Sequence, residues 1–268
     1  MYSSLMGINC GAHRLWSHRS YKANWQLRVL LTGLQTVALQ NSIYDWCRDH
    51  RSHHRYCETD ADPHNAKRGF FFAHMGWLMC RKHREVTIKG KEIDTSDLRA
   101  DPVVWFQHKY YKPLAILTFL ITMAIPVLWW GESWYMAFMG NCFRYIMSLH
   151  HTWLVNSWAH LGTHWSYRPY DKHINPCDTR TYNYLALGEG WHNYHHTFPW
   201  DYSASEFGWS GNWNTATAFI DMFACIGWAY DRRRPKGSVV KARVQRTGDF
   251  DEKYNELTGV YQLVDSTT

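Results

Sequence analysis

Two neighbouring apolar stretches dominate the pattern of hydrophobic and polar positions along the chain. The first, Pro113–Trp130, contains no charged residue and is close to the length of about 20 residues that an α-helix needs to cross a bilayer. The second, Trp134–Asn156, is apolar except for Arg144 and two histidines, and polar side chains in such a span normally face protein or a functional cavity. Because a polar turn separates them, we predict a transmembrane helical hairpin over residues 113–156.

The remaining pattern is mostly helical. Residues 25–39 place leucines at helical spacing between polar residues and predict an amphipathic helix beside the core. Residues 69–80 are an apolar dozen and residues 215–230 alternate apolar and polar at the helical period, so both predict helices that do not span a membrane. Residues 82–101 are charged, have little periodicity and predict a surface loop. The polar stretch 243–268 predicts a loose C-terminal tail. Few strand signals are present, so the fold class is all-α, in a single domain spanning residues 1–268.

Composition and charge limit the possible environments. Aromatic residues make up 17% of the 268 residues, including 16 tryptophans, which suits a protein at a lipid interface. A mean hydropathy of −0.47 is by itself typical of a soluble protein. The net charge of +6 is modest and gives no indication of nucleic-acid binding. Seven scattered cysteines argue against a disulfide framework and agree with a reducing, cytosolic face. Lys109 and Lys112 before the hairpin, and the basic run 232–236, place both flanks in the cytoplasm by the positive-inside rule.

Three histidine clusters carry the candidate chemistry: HRLWSH at 13–18, HRSHH at 50–54 and HNYHH at 192–196. In the second and third, the spacing i, i+3, i+4 puts three imidazoles within one stripe of a helix, and two such stripes facing each other would form a polynuclear metal site. The first cluster is spaced by five, so its rings would diverge by roughly 140° on an ideal helix, and we place it where a helix ends.

Isolated histidines are more often structural than metal-binding, but the combined pattern favours metal. Zinc is the natural alternative. However, structural zinc sites usually include cysteine, and no cluster here is paired with a CxxC sequence. We therefore expect two metal ions and a redox task.

The sequence around the clusters resembles a known family. GAHRLWSHRSYKA, DHRSHHRYCETDADPHNAKRGFFFAHMGW, WLVNSWAH, RPYDKHINP and GEGWHNYHHTFPWDY are similar to the acyl-CoA Δ9-desaturases, the stearoyl-CoA desaturase family, and most of all to arthropod members. The resemblance covers Gly7 to Asp249. It implies an integral membrane protein of the endoplasmic reticulum, multi-pass, with a cytosolic helical cap that carries a histidine-rich di-iron site. The implied reaction uses dioxygen and inserts a cis double bond into a saturated fatty acyl-CoA, with electrons from cytochrome b5 and its reductase.

Family members have two membrane spans before the first histidine cluster, and residues 1–12 resemble the remnant of the second. We therefore expect the chain to be a fragment or a short form. Two other functions stay open. One is another membrane di-iron oxygenase, either a hydroxylase or a desaturase of different regiochemistry, and the other is a truncated non-catalytic paralogue.

The resemblance also assigns roles to individual residues. It implies that Asn156 contacts one iron through water and that the iron ligands are His13, His18, His50, His53, His54, His160, His192, His195 and His196. It implies coenzyme A contacts at Arg48, His64, Arg81 and Lys82, and an acyl-tunnel bend at Gln40, Trp46, Thr152 and Trp153. Ligating imidazoles need partners on their other nitrogen, and the acidic residues beside the clusters are Asp49, Glu58, Asp62, Glu189 and Asp201.

Overall fold

The computed structural model describes residues 1–163, 166–209 and 213–249. This part of the chain is predominantly helical, as its sequence pattern predicted, and its two short strands pair antiparallel with Lys22 opposite Tyr230. The helices are α1 (Tyr2–Met6), α2 (Trp25–Ala38), α3 (Ile43–Tyr56), α4 (Trp77–Met79), α5 (Arg84–Gly90), α6 (Ser96–Ala100), α7 (Pro102–Lys109), α8 (Tyr111–Trp130), α9 (Trp134–Leu161), α10 (Arg180–Leu185), α11 (His192–Thr197), α12 (Thr215–Cys225) and α13 (Gly237–Thr247). The strands are β1 (Lys22–Ala23) and β2 (Ala229–Tyr230), and the π-helices span Gly7–Ser17 and Phe72–Gly76.

The predicted hairpin is formed by α8 and α9, which extend somewhat beyond residues 113–156. Gly131 ends α8 in the left-handed conformation, φ 71°, and Ser133 caps α9 by accepting a hydrogen bond from the backbone N–H of Met136. Asn141 ties the arms together, because its Nδ2 donates to the carbonyl of Phe119 at 3.1 Å. In the described part of the chain, α8 is the one helix with the length and hydropathy to cross a membrane, and none of its residues is buried.

The charge inside the hairpin faces protein, as expected. Arg144 donates hydrogen bonds to Ser4 Oγ at 2.9 Å, to the carbonyl of Val37 at 3.0 Å and to Asn141 Oδ1 at 2.9 Å. These contacts join α9 to α1 and α2, and they position the hairpin against the rest of the fold.

The core lies around the first π-helix, which packs against α2, α3 and α12. Leu27 and Leu31 of α2 and Ile43 of α3 are completely buried there. Gly7 makes the approach to α2 possible, because a Cβ at this position would lie 2.2 Å from the backbone nitrogen of Gln35. All seven cysteines of the chain are free.

The prediction of a surface loop over residues 82–101 is wrong, because α5 and α6 form there. Tertiary contacts stabilise these short helices without hydropathic periodicity: Leu98 is completely buried, and Asp97 accepts hydrogen bonds from Arg19 and Arg51. The local sequence therefore gave no signal of the packing that orders this segment.

Two boundaries also differ from the prediction. The helical pattern over 215–230 continues only to Cys225, and the chain then forms β2. The predicted tail begins inside α13, where Val244 is buried against the aromatic cluster of Tyr170 and Trp191. Residues 250–268 of the predicted tail lie outside the described residues.

Candidate metal centre

The first histidine cluster lies on the π-helix that spans Gly7–Ser17. Its terminal hydrogen bond runs from the N–H of His18 to the carbonyl of His13, at 3.1 Å, which is the i→i+5 pattern. This wider turn brings residues five apart onto one side, and the two ring centroids are 4.9 Å apart. The rings do not diverge as they would on an ideal α-helix, and the helix ends at this cluster, as predicted.

The second and third clusters lie on α3 and α11, and each helix divides its histidines in the same way. On α3, the residues spaced by four, His50 and His54, face one group of imidazoles, while His53 faces a second group. On α11, the pair spaced by four faces the second group, and His195 faces the first. Each helix thus contributes to both groups.

All nine histidines expected from the sequence meet in two adjacent groups. Within each group the nearest ring nitrogens all lie within 4.8 Å of one another. The groups touch, because the rings of His54 and His196 stack with centroids 4.1 Å apart. The first group contains His13, His18, His50, His54 and His195, and the second contains His53, His160, His192 and His196.

The donor set fits metal ions. Nε2 of His195 lies 3.0 Å from Nε2 of His13 and 3.1 Å from that of His54, and Nε2 of His192 lies 2.9 Å from that of His160. Where Nδ1 carries the proton to a carboxylate, as in His13 and His160, Nε2 presents a lone pair. Lone pairs aimed at shared points are satisfied by cations, and imidazole is a preferred ligand of iron, copper and zinc.

Three carboxylates hold the outer ring nitrogens. Nδ1 of His13 lies 3.3 Å from Glu189 Oε2, Nδ1 of His53 lies 3.0 Å from Asp62, and Nδ1 of His160 lies 3.4 Å from Glu58 Oε1. These are the carboxylate–histidine pairs that orient metal ligands and fix their tautomers. Three of the five acidic residues suggested by the sequence therefore contact histidines.

The other two acidic residues have different partners. Asp49 pairs with Arg48 at 2.9 Å and with Lys82 at 2.5 Å. Asp201 accepts hydrogen bonds from the hydroxyls of Tyr194 and Ser203. Proximity in sequence was not sufficient to identify the carboxylates that reach the imidazoles.

A buried arginine that the sequence reasoning missed supports Glu189. Arg14 donates to Glu189 Oε1 from Nη2 at 2.8 Å and from Nε at 3.1 Å, and it also donates to Thr217. Burial alone would raise the pKa of Glu189, but the charge of Arg14 and the hydrogen bonds from His13 and Arg14 outweigh it and lower the pKa to about 2. Glu189 is therefore a carboxylate at neutral pH. The sequence feature that could have identified Arg14 is its position inside the first cluster, HRLWSH.

Six of the imidazoles are neutral and available as ligands. Burial, followed by the repulsion between neighbouring rings, holds the pKa of His18 and of His50 well below the usual value. The same causes lower the pKa of His54, His192, His195 and His196. Protons therefore do not compete with metal for the ring nitrogens of these six histidines near pH 7.

Two cavities meet beside these groups. The larger, about 350 Å³, contains all four residues expected at the tunnel bend, and its lining includes Gln40, Trp46, Thr152 and Trp153. The smaller, about 40 Å³, reaches His13, His192 and Glu189. Both cavities are lined by Trp46, His50, Thr152 and Asn156. Asn156 therefore lies beside the histidines that line these cavities. His151 also faces the smaller cavity, and the sequence reasoning gave it no role.

Of the four residues expected to contact coenzyme A, three lie at or beside the larger cavity. His64 lines the larger cavity, and its ring lies 4.3 Å from that of His53, centroid to centroid. Arg48 and Lys82 lie together, because both bind Asp49 beside the same cavity. Arg81 directly precedes Lys82 in the chain and is exposed.

Comparison with known proteins agrees with this geometry. The family model for fatty acid desaturases matches residues 1–205. The chain belongs to the fatty acid desaturase family. Among curated proteins, this desaturase is 57% identical to an acyl-CoA Delta-9 desaturase of Acheta domesticus, over 91% of the chain and 67% of the relative. It is 54% identical to an acyl-CoA Delta12-desaturase of the same organism, over 92% of the chain and 68% of the relative. It is 52% identical to the stearoyl-CoA desaturase of Bos taurus, again over 92% and 68%.

Proposed function

We propose that this desaturase inserts a cis double bond at the Δ9 position of a saturated fatty acyl-CoA. The observation that carries the proposal is the meeting of two cavities at nine converged histidines. A long apolar chain in the larger cavity would reach the metal-binding groups at the bend lined by Trp46, His50 and Thr152. The names of the relatives given above support the acyl-CoA substrate, and that of the first supports the Δ9 position.

We propose two iron ions as the cofactor, one for each histidine group, with Asn156 contacting one of them through water. Bound iron with dioxygen would supply the strong oxidant needed to remove hydrogen from an unactivated methylene, which side chains cannot supply. The residues of the chain do the rest. The histidines would hold the metal. Three of their rings are oriented by carboxylates, those of Glu189, Asp62 and Glu58, and the apolar walls of the cavities exclude water.

The bend positions the substrate for the reaction. Thr152 and Trp153 on α9 face the larger cavity together with Gln40, whose Nε2 donates to the carbonyl of Ser148 at 3.3 Å. This hydrogen bond fixes one wall of the bend to α9. A chain that must turn there presents one pair of methylenes to the metal groups, in a shape that leads to a cis product.

The coenzyme A head group needs cationic partners. Arg48, Arg81 and Lys82 would bind its phosphates, and His64 would contact the head group at the edge of the cavity. Arginine suits phosphate because its planar fork donates two parallel hydrogen bonds. Asp49 already neutralises part of the charge of Arg48 and Lys82, so phosphate binding would displace or share those ion pairs.

We place the protein in the membrane of the endoplasmic reticulum as one domain, with α8 and α9 as a spanning hairpin and the histidine groups on the cytosolic side. The apolar surface of α8 supports this placement, since an 18-residue window of the helix has mean hydropathy 1.9 and none of its residues is buried. Cytochrome b5 and its reductase would supply the electrons, as for the family.

The test uses the full chain, purified in detergent and loaded anaerobically with ferrous iron. Iron is counted by elemental analysis, and the protein is then given stearoyl-CoA, dioxygen and reduced cytochrome b5. We expect about two equivalents of iron and a product whose cis double bond lies between carbons 9 and 10, located by mass spectrometry after derivatisation.

Each other product would contradict one part of the proposal. A double bond between carbons 12 and 13 would overturn the Δ9 position, and a hydroxylated chain would overturn desaturation. Iron loading to two equivalents with no product under any condition would favour a non-catalytic protein. The matched control is His173→Ala, which removes a histidine of RPYDKHINP outside both groups and should change neither iron content nor product.

A further inference from the structure

A short helical segment before α5 exposes large apolar side chains to solvent. Its outer side, here called the apolar edge, consists of Phe70, Phe71, Leu78 and Met79, which are 50%, 62%, 49% and 66% exposed. Its inner side is fixed to the protein, because His74 is buried and its Nδ1 lies 3.0 Å from Ser157 Oγ of α9. The apolar edge therefore faces outwards through packing of the opposite side.

Cations lie at both ends of the apolar edge. Lys67 and Arg68 precede it and are exposed, and Arg81, Lys82 and Arg84 follow it and are also exposed. Among the ion pairs of the described residues, Lys82 alone of these five has a carboxylate partner, Asp49. The guanidinium of Arg68 instead lies 3.6 Å from the ring centroid of Phe72. The segment thus presents apolar side chains between two groups of largely uncompensated positive charge.

The apolar edge is continuous with the mouth of the larger cavity and with the hairpin. Trp77 and Leu78 line that cavity opposite Leu149 and Trp153 of α9. Towards its N-terminus, α9 becomes an exposed apolar helix, with Phe143 66% exposed. One apolar surface therefore runs from the hairpin to the segment that borders the cavity.

We propose that the apolar edge lies in the headgroup region of an anionic lipid leaflet, with Lys67 and Arg68 contacting the headgroups. Apolar side chains bordered by cations are the pattern of helices that lie in a membrane interface, and clustered lysine and arginine favour anionic lipids. This contact would place the mouth of the larger cavity at the lipid surface. The inference rests on the membrane placement of the hairpin proposed above and adds a second, selective contact with lipid.

A free phosphate compound is the other source of anionic groups. Arg81 and Lys82 are the cations assigned to coenzyme A, and they lie at the far end of the apolar edge from Lys67 and Arg68. We therefore assign the lipid headgroups to the latter pair, which no substrate role requires, and the experiment separates the two ends.

The test is photocrosslinking of the full chain in lipid nanodiscs, made of phosphatidylcholine alone or with added phosphatidylserine. The photoreactive residue 4-benzoylphenylalanine replaces Phe71, or Leu120 on α8 as a hairpin reference, or Ile88 as an exposed reference on α5, which packs against α3. Lipid adducts are identified by mass spectrometry. We expect adducts at positions 71 and 120 and none at 88, with phosphatidylserine enriched several-fold over its share of the disc at position 71.

A second variant tests whether Lys67 and Arg68 select the anionic lipid. Lys67→Gln combined with Arg68→Gln should abolish the phosphatidylserine enrichment at position 71 and leave the adducts at 120 unchanged. Saturating coenzyme A should not reduce the enrichment; if it did, nucleotide phosphate would be the ligand of these cations.

The remaining outcomes overturn the inference in distinguishable ways. Adducts at 120 without adducts at 71 would contradict the lipid contact while leaving the proposed function intact, and crosslinks from 71 to another protein would assign the edge to a protein partner. Equal yields with both lipid compositions would contradict the anionic selectivity. Absence of adducts at both 71 and 120 would contradict the membrane placement itself.

Discussion

Glu189 contacts His13 at the ring nitrogen that faces away from the first histidine group: its Oε2 lies 3.3 Å from Nδ1 of that ring, while its Oε1 accepts two hydrogen bonds from Arg14. All three side chains are buried. The ring nitrogen that faces the first histidine group is therefore oriented by a chain of contacts that reaches from the π-helix to α12.

Glu189→Gln should weaken metal binding. The amide that replaces one oxygen cannot accept the Nδ1–H of His13 while its carbonyl oxygen stays with Arg14, so the ring loses its orientation. Loss of such a partner typically costs 10- to 100-fold in metal affinity, which can be measured by competition with a metal chelator. Asp49→Asn is the matched control, because Asp49 adjoins the second cluster and binds Arg48 and Lys82 instead. Equal metal affinity in both variants would contradict the role of Glu189.

Gly7→Ala should destabilise the protein, whereas Gly33→Ala should not. A Cβ on Gly7 would lie 2.2 Å from the backbone of Gln35, so the π-helix and α2 must separate, and overpacking of this kind costs about 1–3 kcal/mol. Gly33 is exposed on the same α2, and no atom lies within 4 Å of the position that an alanine methyl group would occupy, so alanine there should stabilise the helix by about 0.5–1 kcal/mol. Thermal unfolding in detergent measures both, and similar midpoints for the two variants would contradict the close approach at Gly7.

Thr152→Phe should block substrate without removing metal. Thr152 lines both cavities where they meet, so a phenyl ring there would displace the acyl chain from the histidine groups. A misplacement of about 1 Å can cost on the order of a hundredfold in rate, and we expect a loss of that size in kcat/KM with unchanged iron content. Ile146→Phe, at an exposed position of the same α9, is the control. If Thr152→Phe retained full activity, the acyl chain would not pass this bend.

The carboxyl of Glu206 should make folding stability depend on pH. Burial raises its pKa to about 7, outweighing the hydrogen bond from Tyr170 and the charge of Arg234. The unfolded chain releases this proton near pH 4.5 and the folded chain near pH 7. The folded state therefore binds the extra proton in between, and stability falls as pH rises through that window.

Glu206→Gln should remove this dependence. Relative to the variant, the wild-type protein should lose on the order of 2–3 kcal/mol between pH 4.5 and 7, seen as a falling midpoint in chemical denaturation. Glu132→Gln, in the exposed turn of the hairpin, should keep the wild-type pH profile. A flat wild-type profile would contradict the buried, protonated state of Glu206.

Local periodicity was sufficient to predict the long elements. The leucines of α2 and the uninterrupted apolar run of α8 determine helices through their own spacing, and both form close to the expected bounds. The set of histidines that converge could be predicted for a similar reason. The spacing i, i+3, i+4 places three side chains on one side of a helix whatever the rest of the fold. The resemblance added His160, which the structure brings into the second group.

What the sequence did not reveal depends on contacts between distant segments. The π-helix begins where Gly7 packs against α2, and the spacing of His13 and His18 predicted the end of a helix but not this wider turn. Likewise, α6 is ordered by Asp97 binding Arg19 and Arg51. In the same way, only the tertiary structure distinguishes the three carboxylates that contact imidazoles from the two that do not.

Because α3 and α11 each contribute histidines to both groups, metal binding at one group should affect metal binding at the other. An ion that settles in the first group would immobilise His50, His54 and His195, and with them the helices that carry His53, His192 and His196. Part of the entropy of ordering these helices is then already lost when the second ion arrives. Loading should therefore be cooperative, with the half-filled protein scarce at every iron concentration.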